Sequence, residues 1–235
     1  MRHSLLACLL LVWLAAPAAA QLNNAPLPPI EFDMRAVMGL LGHDVTTATS
    51  LGTAVPSDLP TLGLGFVVGI NAYPLRVGGF AIGIGGEYLR ASANHTPVDA
   101  SGTPLSPEIQ RRLQSASGQF SLNFGHRMGW SYLTGGMGPL QFDTQYKAAA
   151  ATAAGTAATS GGTSSSTTSQ NFLSQLLAEP MALNYGGGGR WFLSKSVALS
   201  LDLRFYRAPA ADAAAPLAAR AKHKITVFSF GISIK

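Results

Sequence analysis

Large apolar residues occupy every second position in segments that recur along most of the chain. In the clearest of these, residues 62–72, the even positions carry large apolar side chains and the odd positions are mostly glycine. A period of two is typical of a β-strand whose two faces meet different surroundings. Eight segments of this kind lie at residues 31–42, 61–73, 78–91, 113–126, 130–146, 181–193, 196–207 and 222–234.

The lengths of these segments and of their connections predict a closed barrel. Each segment is long enough to cross a hydrocarbon layer as a tilted strand, which takes about 9–11 residues. Short connections alternate with long ones, and the long ones lie at 43–60, 92–112, 147–180 and 208–221. Outer-membrane barrels have short periplasmic turns and long extracellular loops, and closure leaves no unpaired strand edge in lipid. We therefore predict an all-β fold, an eight-stranded antiparallel transmembrane β-barrel.

The composition also favours a membrane environment over water. Charged residues make up 11% of the chain and hydrophobic residues 47%, whereas a soluble domain usually has about 25% charged residues. So few charges disfavour a soluble, lipocalin-like ligand-binding barrel, which would need a charged exterior. The apolar content argues against an intrinsically disordered chain. The net charge of +5 comes without a dense basic run, so nucleic acid is not expected as a partner.

The first twenty residues have the pattern of a secretory signal. A short basic start at Arg2 and His3 precedes an almost entirely apolar run, which ends in small residues before Gln21. This order is typical of a cleaved signal peptide. The one cysteine, Cys8, lies in this segment, so we expect neither a disulfide nor a thiolate site in the exported chain. We predict a signal peptide at 1–20, a Pro-rich periplasmic lead at 21–30 and a barrel at 31–235 in the outer membrane of a Gram-negative-type bacterium.

This architecture resembles that of the small eight-stranded outer-membrane barrels of the OmpA and OmpX type. The resemblance covers the whole exported chain and rests on strand number and loop length rather than on a motif. It implies outer-membrane lipid as the surroundings, and barrel-insertion machinery and periplasmic chaperones as partners during biogenesis. The last strand departs from these barrels, because it ends in Ile234 and Lys235 rather than in an aromatic residue. Cell-wall tethering through a periplasmic peptidoglycan-binding domain is not implied.

The alternation also predicts charged side chains inside the barrel. An eight-stranded barrel is just wide enough for its side chains to fill, and an isolated buried charge is costly. We therefore expect these charges to pair in a network that plugs the bore; the alternative is a narrow pore for small solutes or ions. The residues assigned to this lumen charge network are Asp33, Arg35, Glu87, Asp143, Arg190, Asp202 and Arg204.

Aromatic and basic residues predict where the outer wall meets the two membrane surfaces. Barrels of this kind carry two aromatic girdles, and basic residues near an anionic leaflet are attracted to its phosphates. The alternative for the basic residues is a set of solvated loop charges. The predicted lipid-interface aromatics are Phe32, Trp130, Tyr132, Trp191, Tyr88, Phe142 and Phe205. The candidate lipopolysaccharide-contacting rim comprises Arg90, Arg111, Arg112, Arg207, Lys222 and Lys224.

Little in the sequence indicates catalysis. Some eight-stranded barrels modify lipid A with a histidine, a serine and an acid, but neither His126 nor His223 has such partners at a meaningful spacing. The histidines are scattered, so a metal site is not expected. Residues 148–169 are all Ala, Thr, Ser or Gly and predict a mobile loop. We predict a structural or surface-interaction role without a cofactor, with a lipid A-modifying enzyme as a further alternative.

Overall fold

The computed structural model describes most of the chain between residues 28 and 234. The predicted signal peptide at 1–20, with Cys8, and the predicted mobile loop at 148–169 lie outside the described residues, as does most of the lead at 21–30. The described ranges are 28–52, 56–98, 101–104, 107–126, 129–147, 179–210, 212–213, 218–219 and 221–234.

Eight strands follow one another around a closed barrel. Each strand pairs antiparallel with its neighbour in the chain, and the last closes the barrel against the first, where Phe32 lies opposite Ile234. The predicted eight-stranded antiparallel barrel is therefore confirmed. The strands are β1 (Ile30–Leu40), β2 (Leu62–Val77), β3 (Phe80–His95), β4 (Ile109–His126), β5 (Gly129–Tyr146), β6 (Met181–Phe192), β7 (Val197–Ala208) and β8 (His223–Ile234).

The two ends of the barrel differ in the length of their connections. Short turns join β2 to β3, β4 to β5 and β6 to β7, and we call this the short-turn end. The turn between β2 and β3 contains Gly78 with a φ of 58°, which glycine adopts more easily than other residues. The long connections lie at the opposite end, which we call the loop end.

The first long connection contains the helical residues of the described structure. Helix α1 (Val45–Leu51) and a 3-10 turn (Pro56–Asp58) lie between β1 and β2. Ala48 and Leu59 from this connection pack with Ile109 at the start of β4. Among the residues that the structure describes, no helix combines the length and the apolar character needed to span a membrane.

Strands β2, β3 and β4 extend beyond the segments that the alternation predicts. Strand β2 continues past residue 73 through a register shift between Ala72 and Leu75, which accommodates Pro74, a residue without a backbone N–H. Strand β4 begins at Ile109 because that residue still pairs with His95 of β3. The predicted ends at residues 73, 91 and 113 were therefore wrong, since cross-strand pairing continues where the apolar pattern fades.

The barrel is apolar outside and polar inside. Along β1, Phe32 and Met34 are 56% and 59% exposed, while Asp33 and Arg35, which alternate with them, are 4% and 2% exposed. Exposed large apolar side chains occur on all eight strands. A soluble monomer rarely presents a continuous apolar surface of this kind.

Candidate functional site

The interior near the short-turn end places one arginine between two carboxylates. Arg190 on β6 lies 2.7 Å from Asp33 and 3.0 Å from Glu31, measured between nitrogen and oxygen atoms. The Tyr73 hydroxyl donates a hydrogen bond of 2.6 Å to Glu31, and the Asn71 amide donates one of 3.0 Å to Asp33. These contacts connect β1, β2 and β6 across the bore.

Glu31 belongs to this charge network although the sequence prediction did not include it. It has the same parity as Asp33 and Arg35, and all three side chains are buried. The alternation along β1 is thus the signal that identifies Glu31 as an interior residue.

Deeper in the bore, four side chains form a closed ring of alternating charges, which we call the central ring. Arg204 lies 2.7 Å from Glu87 and 2.9 Å from Asp202. Arg35 contacts the same two carboxylates, pairing with Glu87 and lying 3.2 Å from Asp202. The Tyr206 hydroxyl donates a further hydrogen bond of 3.3 Å to Glu87. Each guanidinium therefore bridges both carboxylates.

Tyr132 on β5 lies between the central ring and the ion pairs that Arg190 forms with Glu31 and Asp33. Its hydroxyl donates a hydrogen bond of 2.7 Å to Asp202, and its ring lies 4.4 Å from the guanidinium carbon of Arg190. Gly188 makes this position possible, because a Cβ there would lie 2.4 Å from the Tyr132 hydroxyl oxygen. The glycine in β6 thus provides the space that the tyrosine fills.

Burial explains why this network is so extensively paired. Removing an ion from water costs several kcal/mol, which only close partners of opposite charge offset. All seven charged residues are at most 8% exposed and lie within ion-pair distance of an opposite charge. They are Glu31, Asp33, Arg35, Glu87, Arg190, Asp202 and Arg204.

An apolar layer lies between the central ring and the loop end. Leu113 of β4 lies opposite Phe142 of β5, and the two are 0% and 2% exposed. Apolar side chains offer no groups that replace the water around an ion. The layer includes Val37, Leu41, Val67, Leu89, Leu113, Leu140, Phe142, Ile225 and Val227.

Arg111 ties the first long connection over the loop end. Its guanidinium donates hydrogen bonds of 2.7 Å and 3.2 Å to the carbonyls of Gly42 and Pro60, and one of 3.3 Å to the Thr144 hydroxyl. It also lies 4.8 Å from the centroid of the Phe142 ring. The predicted position of Arg111 on the outer rim was wrong, because the odd positions of β4 face inward and its side chain is 0% exposed.

Asp44 links the first long connection to the last. Its carboxylate accepts hydrogen bonds from the Thr46 N–H, the Thr47 hydroxyl and the Ala221 N–H, at 3.0, 2.6 and 3.2 Å. The first of these contacts caps helix α1. Burial alone would raise the pKa of Asp44, but these hydrogen bonds hold the pKa below its ordinary value.

Three of the predicted lipid-interface aromatics face inward. Trp130, Tyr132 and Phe142 are 6%, 3% and 2% exposed, so their predicted outward position was wrong. The even positions of β5 line the bore, where Asp202 accepts the Tyr132 hydrogen bond and apolar neighbours surround Phe142. The other four predicted aromatics lie on the outer face: Phe32, Tyr88, Trp191 and Phe205.

Asp143 lies on the outer face rather than in the lumen. It accepts a hydrogen bond of 2.6 Å from the Gln141 amide, and it lies opposite Arg112 of β4. The prediction of an interior position was wrong because odd positions of β5 point outward.

Basic side chains and aromatic rings lie together on the outer face at the loop end. Arg207 of β7 lies directly opposite Lys224 of β8. The Arg207 guanidinium carbon is 5.6 Å from the Tyr185 ring centroid, and Lys224 Nζ is 5.3 Å from that of Phe205. The exposed members of the predicted rim are Arg90, Arg112, Arg207, Lys222 and Lys224.

Two histidines at the loop end, His43 and His223, make structural contacts. The His223 ring stacks on Phe142 with centroids 5.9 Å apart, and its Nε2 contacts the Leu41 carbonyl. His43 Nδ1 lies 3.0 Å from the Pro56 carbonyl oxygen. Within the described part of the chain, no three His, Cys, Asp or Glu residues are grouped so as to hold a metal ion. The side chain of His126 lies outside the described residues.

Solved structures with a similar strand arrangement come from bacteria. Neisserial surface protein A is 10% identical, with 88% of this chain and 97% of that chain covered and a TM-score of 0.46. Ail of Yersinia pestis is 8% identical, with 87% and 96% covered and a TM-score of 0.44. The outer-membrane protease OmpT of Escherichia coli is 7% identical, with 89% and 98% covered and a TM-score of 0.44. No protein-family model and no curated protein matches the chain.

Proposed function

We propose that the protein is an integral outer-membrane β-barrel with a structural or surface-interaction role. The observation that carries this proposal is the reversed polarity of the barrel. Ion pairs such as Arg204–Glu87 lie inside, while apolar side chains such as Phe230, 60% exposed, cover the outside. Lipid is the solvent that suits such an exterior, and closure satisfies the backbone groups there.

The long connections are displayed at the outer surface in this proposal, and the bore is closed to solutes. Three successive features support closure: the central ring, the apolar layer and the first long connection tied down by Arg111. A narrow pore is the second candidate, since charged groups line part of the interior. The apolar layer argues against it, because an ion passing Leu113 and Phe142 would lose its water without gaining other ligands.

Two further candidates have less support. A lipocalin-like ligand-binding barrel needs an apolar interior and a charged exterior, whereas this barrel has the opposite arrangement. A lipid A-modifying enzyme needs a histidine available for proton transfer. His223 is stacked on Phe142 with its Nε2 at a main-chain carbonyl. We therefore propose a non-enzymatic role.

Lipopolysaccharide is the partner that we propose for the outer face at the loop end. The exposed cations and half-buried rings there form a band beside the apolar wall. Basic groups at this level attract the phosphates of an anionic leaflet, and aromatic rings favour the boundary between lipid and water.

A heat-shift gel combined with bilayer conductance tests the membrane assignment and the closed bore. The chain folded into detergent is expected to migrate faster on SDS–PAGE before boiling than after it. In a planar bilayer the same preparation should produce no regular current steps. A folded, heat-modifiable protein with reproducible steps would support the narrow pore instead, and a protein that stays soluble without detergent and shows no shift would refute the membrane assignment.

A further inference from the structure

Two cations occupy facing positions on the outer face of β7 and β8. Arg207 and Lys224 occupy directly opposed positions on β7 and β8, and both side chains are exposed. Within the described part of the chain, neither forms an ion pair with a carboxylate. Like charges directly opposite one another destabilise a strand pair, so an anion between them would be stabilising.

Aromatic rings hold these two cations in place. Arg207 lies over the ring of Tyr185, and Lys224 lies over that of Phe205. The two rings are in contact, with centroids 5.6 Å apart. Stacking on a ring favours a cation energetically and restricts its movement. The four side chains therefore form one preorganised unit across β6, β7 and β8.

The other side of the rim lacks this arrangement. Arg112 of β4 lies opposite Asp143 of β5, so the residue that faces this arginine carries the opposite charge. Arg90 lies opposite the uncharged Gln114 on β4 and Phe66 on β2. Of these three arginines, Arg207 is the one that faces a second cation, Lys224.

The wall next to the pair, toward the short-turn end, is apolar. Leu203 lies opposite Phe228, and Leu201 lies opposite Phe230, on the same two strands. Phe228 and Phe230 are 43% and 60% exposed. An anion with alkyl chains matches this surface, because its charged group reaches the cations while its chains lie along the apolar residues.

We propose that Arg207 and Lys224 form a binding site for the phosphate group of a membrane lipid, with Tyr185 and Phe205 positioning the two cations. This inference rests on the proposed function, since it requires the outer wall to lie in lipid. It deepens that function by assigning the lipid phosphate to one place on the rim.

Lipid binding to the full chain, folded in detergent micelles and followed by native mass spectrometry, tests the site. The probes are dioleoyl phosphatidic acid, dioleoylglycerol with the same chains but no phosphate, and inorganic phosphate as a competitor. The test variant is Arg207→Gln with Lys224→Gln, and the matched control is Arg90→Gln with Arg112→Gln, which removes the same charge elsewhere on the rim. Heat-shift gels establish that each variant is folded.

The test pair is expected to weaken phosphatidic acid binding by roughly thirtyfold, since each basic residue near an anionic membrane surface contributes about a factor of five. The control pair should weaken it by about fivefold or less, because Arg112 faces the acidic Asp143 and Arg90 faces no second cation. Dioleoylglycerol binding should not respond to either pair. Should the double test variant fail to fold, Lys224→Gln alone should produce about a fivefold loss.

An equal loss of phosphatidic acid binding in the two double variants would overturn the site, because it would indicate diffuse attraction to a basic rim. Inorganic phosphate that competes at the same concentration as the lipid would overturn the assignment to a lipid. A wild-type chain that shows no heat shift and no lipid binding would refute the proposed membrane function, and the site with it.

Discussion

The Tyr132 hydroxyl donates a hydrogen bond of 2.7 Å across the bore to the Asp202 carboxylate. Asp202 also contacts Arg35 and Arg204, so the tyrosine is a third partner of this buried carboxylate. The same ring contacts Arg190. Tyr132 thus connects the two charged layers of the interior.

Tyr132→Phe should destabilise the barrel without changing its fold. The variant keeps the ring and loses one hydrogen bond to a charged group, which is worth about 1.5–3 kcal/mol. Urea unfolding of the barrel in vesicles, followed by heat-shift gel, measures the loss. Tyr185→Phe is the control on the outer face and should change the free energy of unfolding by less than about 0.5 kcal/mol. Equal effects would contradict a special role for the interior hydroxyl.

Glu87→Gln should lower the free energy of unfolding more than Tyr132→Phe does, because both arginines of the central ring share this carboxylate. Removing one partner of a buried ion pair costs about 3–5 kcal/mol. The double variant Glu87→Gln with Arg204→Gln removes one charge of each sign. It should be less destabilised than the sum of the two single variants, with a coupling of about 0.5–3 kcal/mol by the same unfolding measurement. Strict additivity would mean that the two residues do not interact.

Met34→Arg tests whether the outer wall meets lipid. Met34 lies in the middle of β1 and is 59% exposed, so an arginine there would enter the hydrocarbon layer. The expected destabilisation in vesicles is about 2–4 kcal/mol. Asn94→Arg, on the outer face of β3 toward the loop end and opposite the uncharged Gln110, is the control and should cost about 0–1 kcal/mol. A harmless Met34→Arg would place this part of the wall in water.

Acid should loosen the first long connection through Asp44. The folded state lowers the pKa of this carboxyl from its ordinary value of 3.8, so its contribution to stability is complete above that pH. The contribution is lost as the pH falls through the lower folded pKa, since the protonated group is a weaker acceptor. Methyl NMR of Thr47 and Ala48, both buried in α1, should report this change in acid.

Asp44→Asn is the control for the acid effect. Asparagine caps a helix about as well as aspartate but does not titrate in this range. Its Thr47 and Ala48 signals should therefore lose the acid-dependent change. The same acid response in both proteins would assign the effect to another group.

Much of the barrel was determined by the sequence alone. A period of two relates one side chain to the next and does not depend on distant residues, which is why the strand count and the interior positions of β1 and β7 could be predicted. The alternation did not determine which face of β5 points inward, because both faces carry large residues, with Tyr132 on one and Leu133 on the other. Only the tertiary structure decided that orientation, by bringing Asp202 of β7 within reach of Tyr132.

The tertiary structure also decided the positions of Arg111 and Asp143. Each lies near the loop end of its strand, where a charged residue is compatible with either face of the wall. Arg111 turns inward because the carbonyls of Gly42 and Pro60, from a distant connection, accept its hydrogen bonds. Asp143 turns outward, opposite Arg112. Local pattern thus determined that strands form and close, whereas partners far apart in the chain determined which charges the barrel buries.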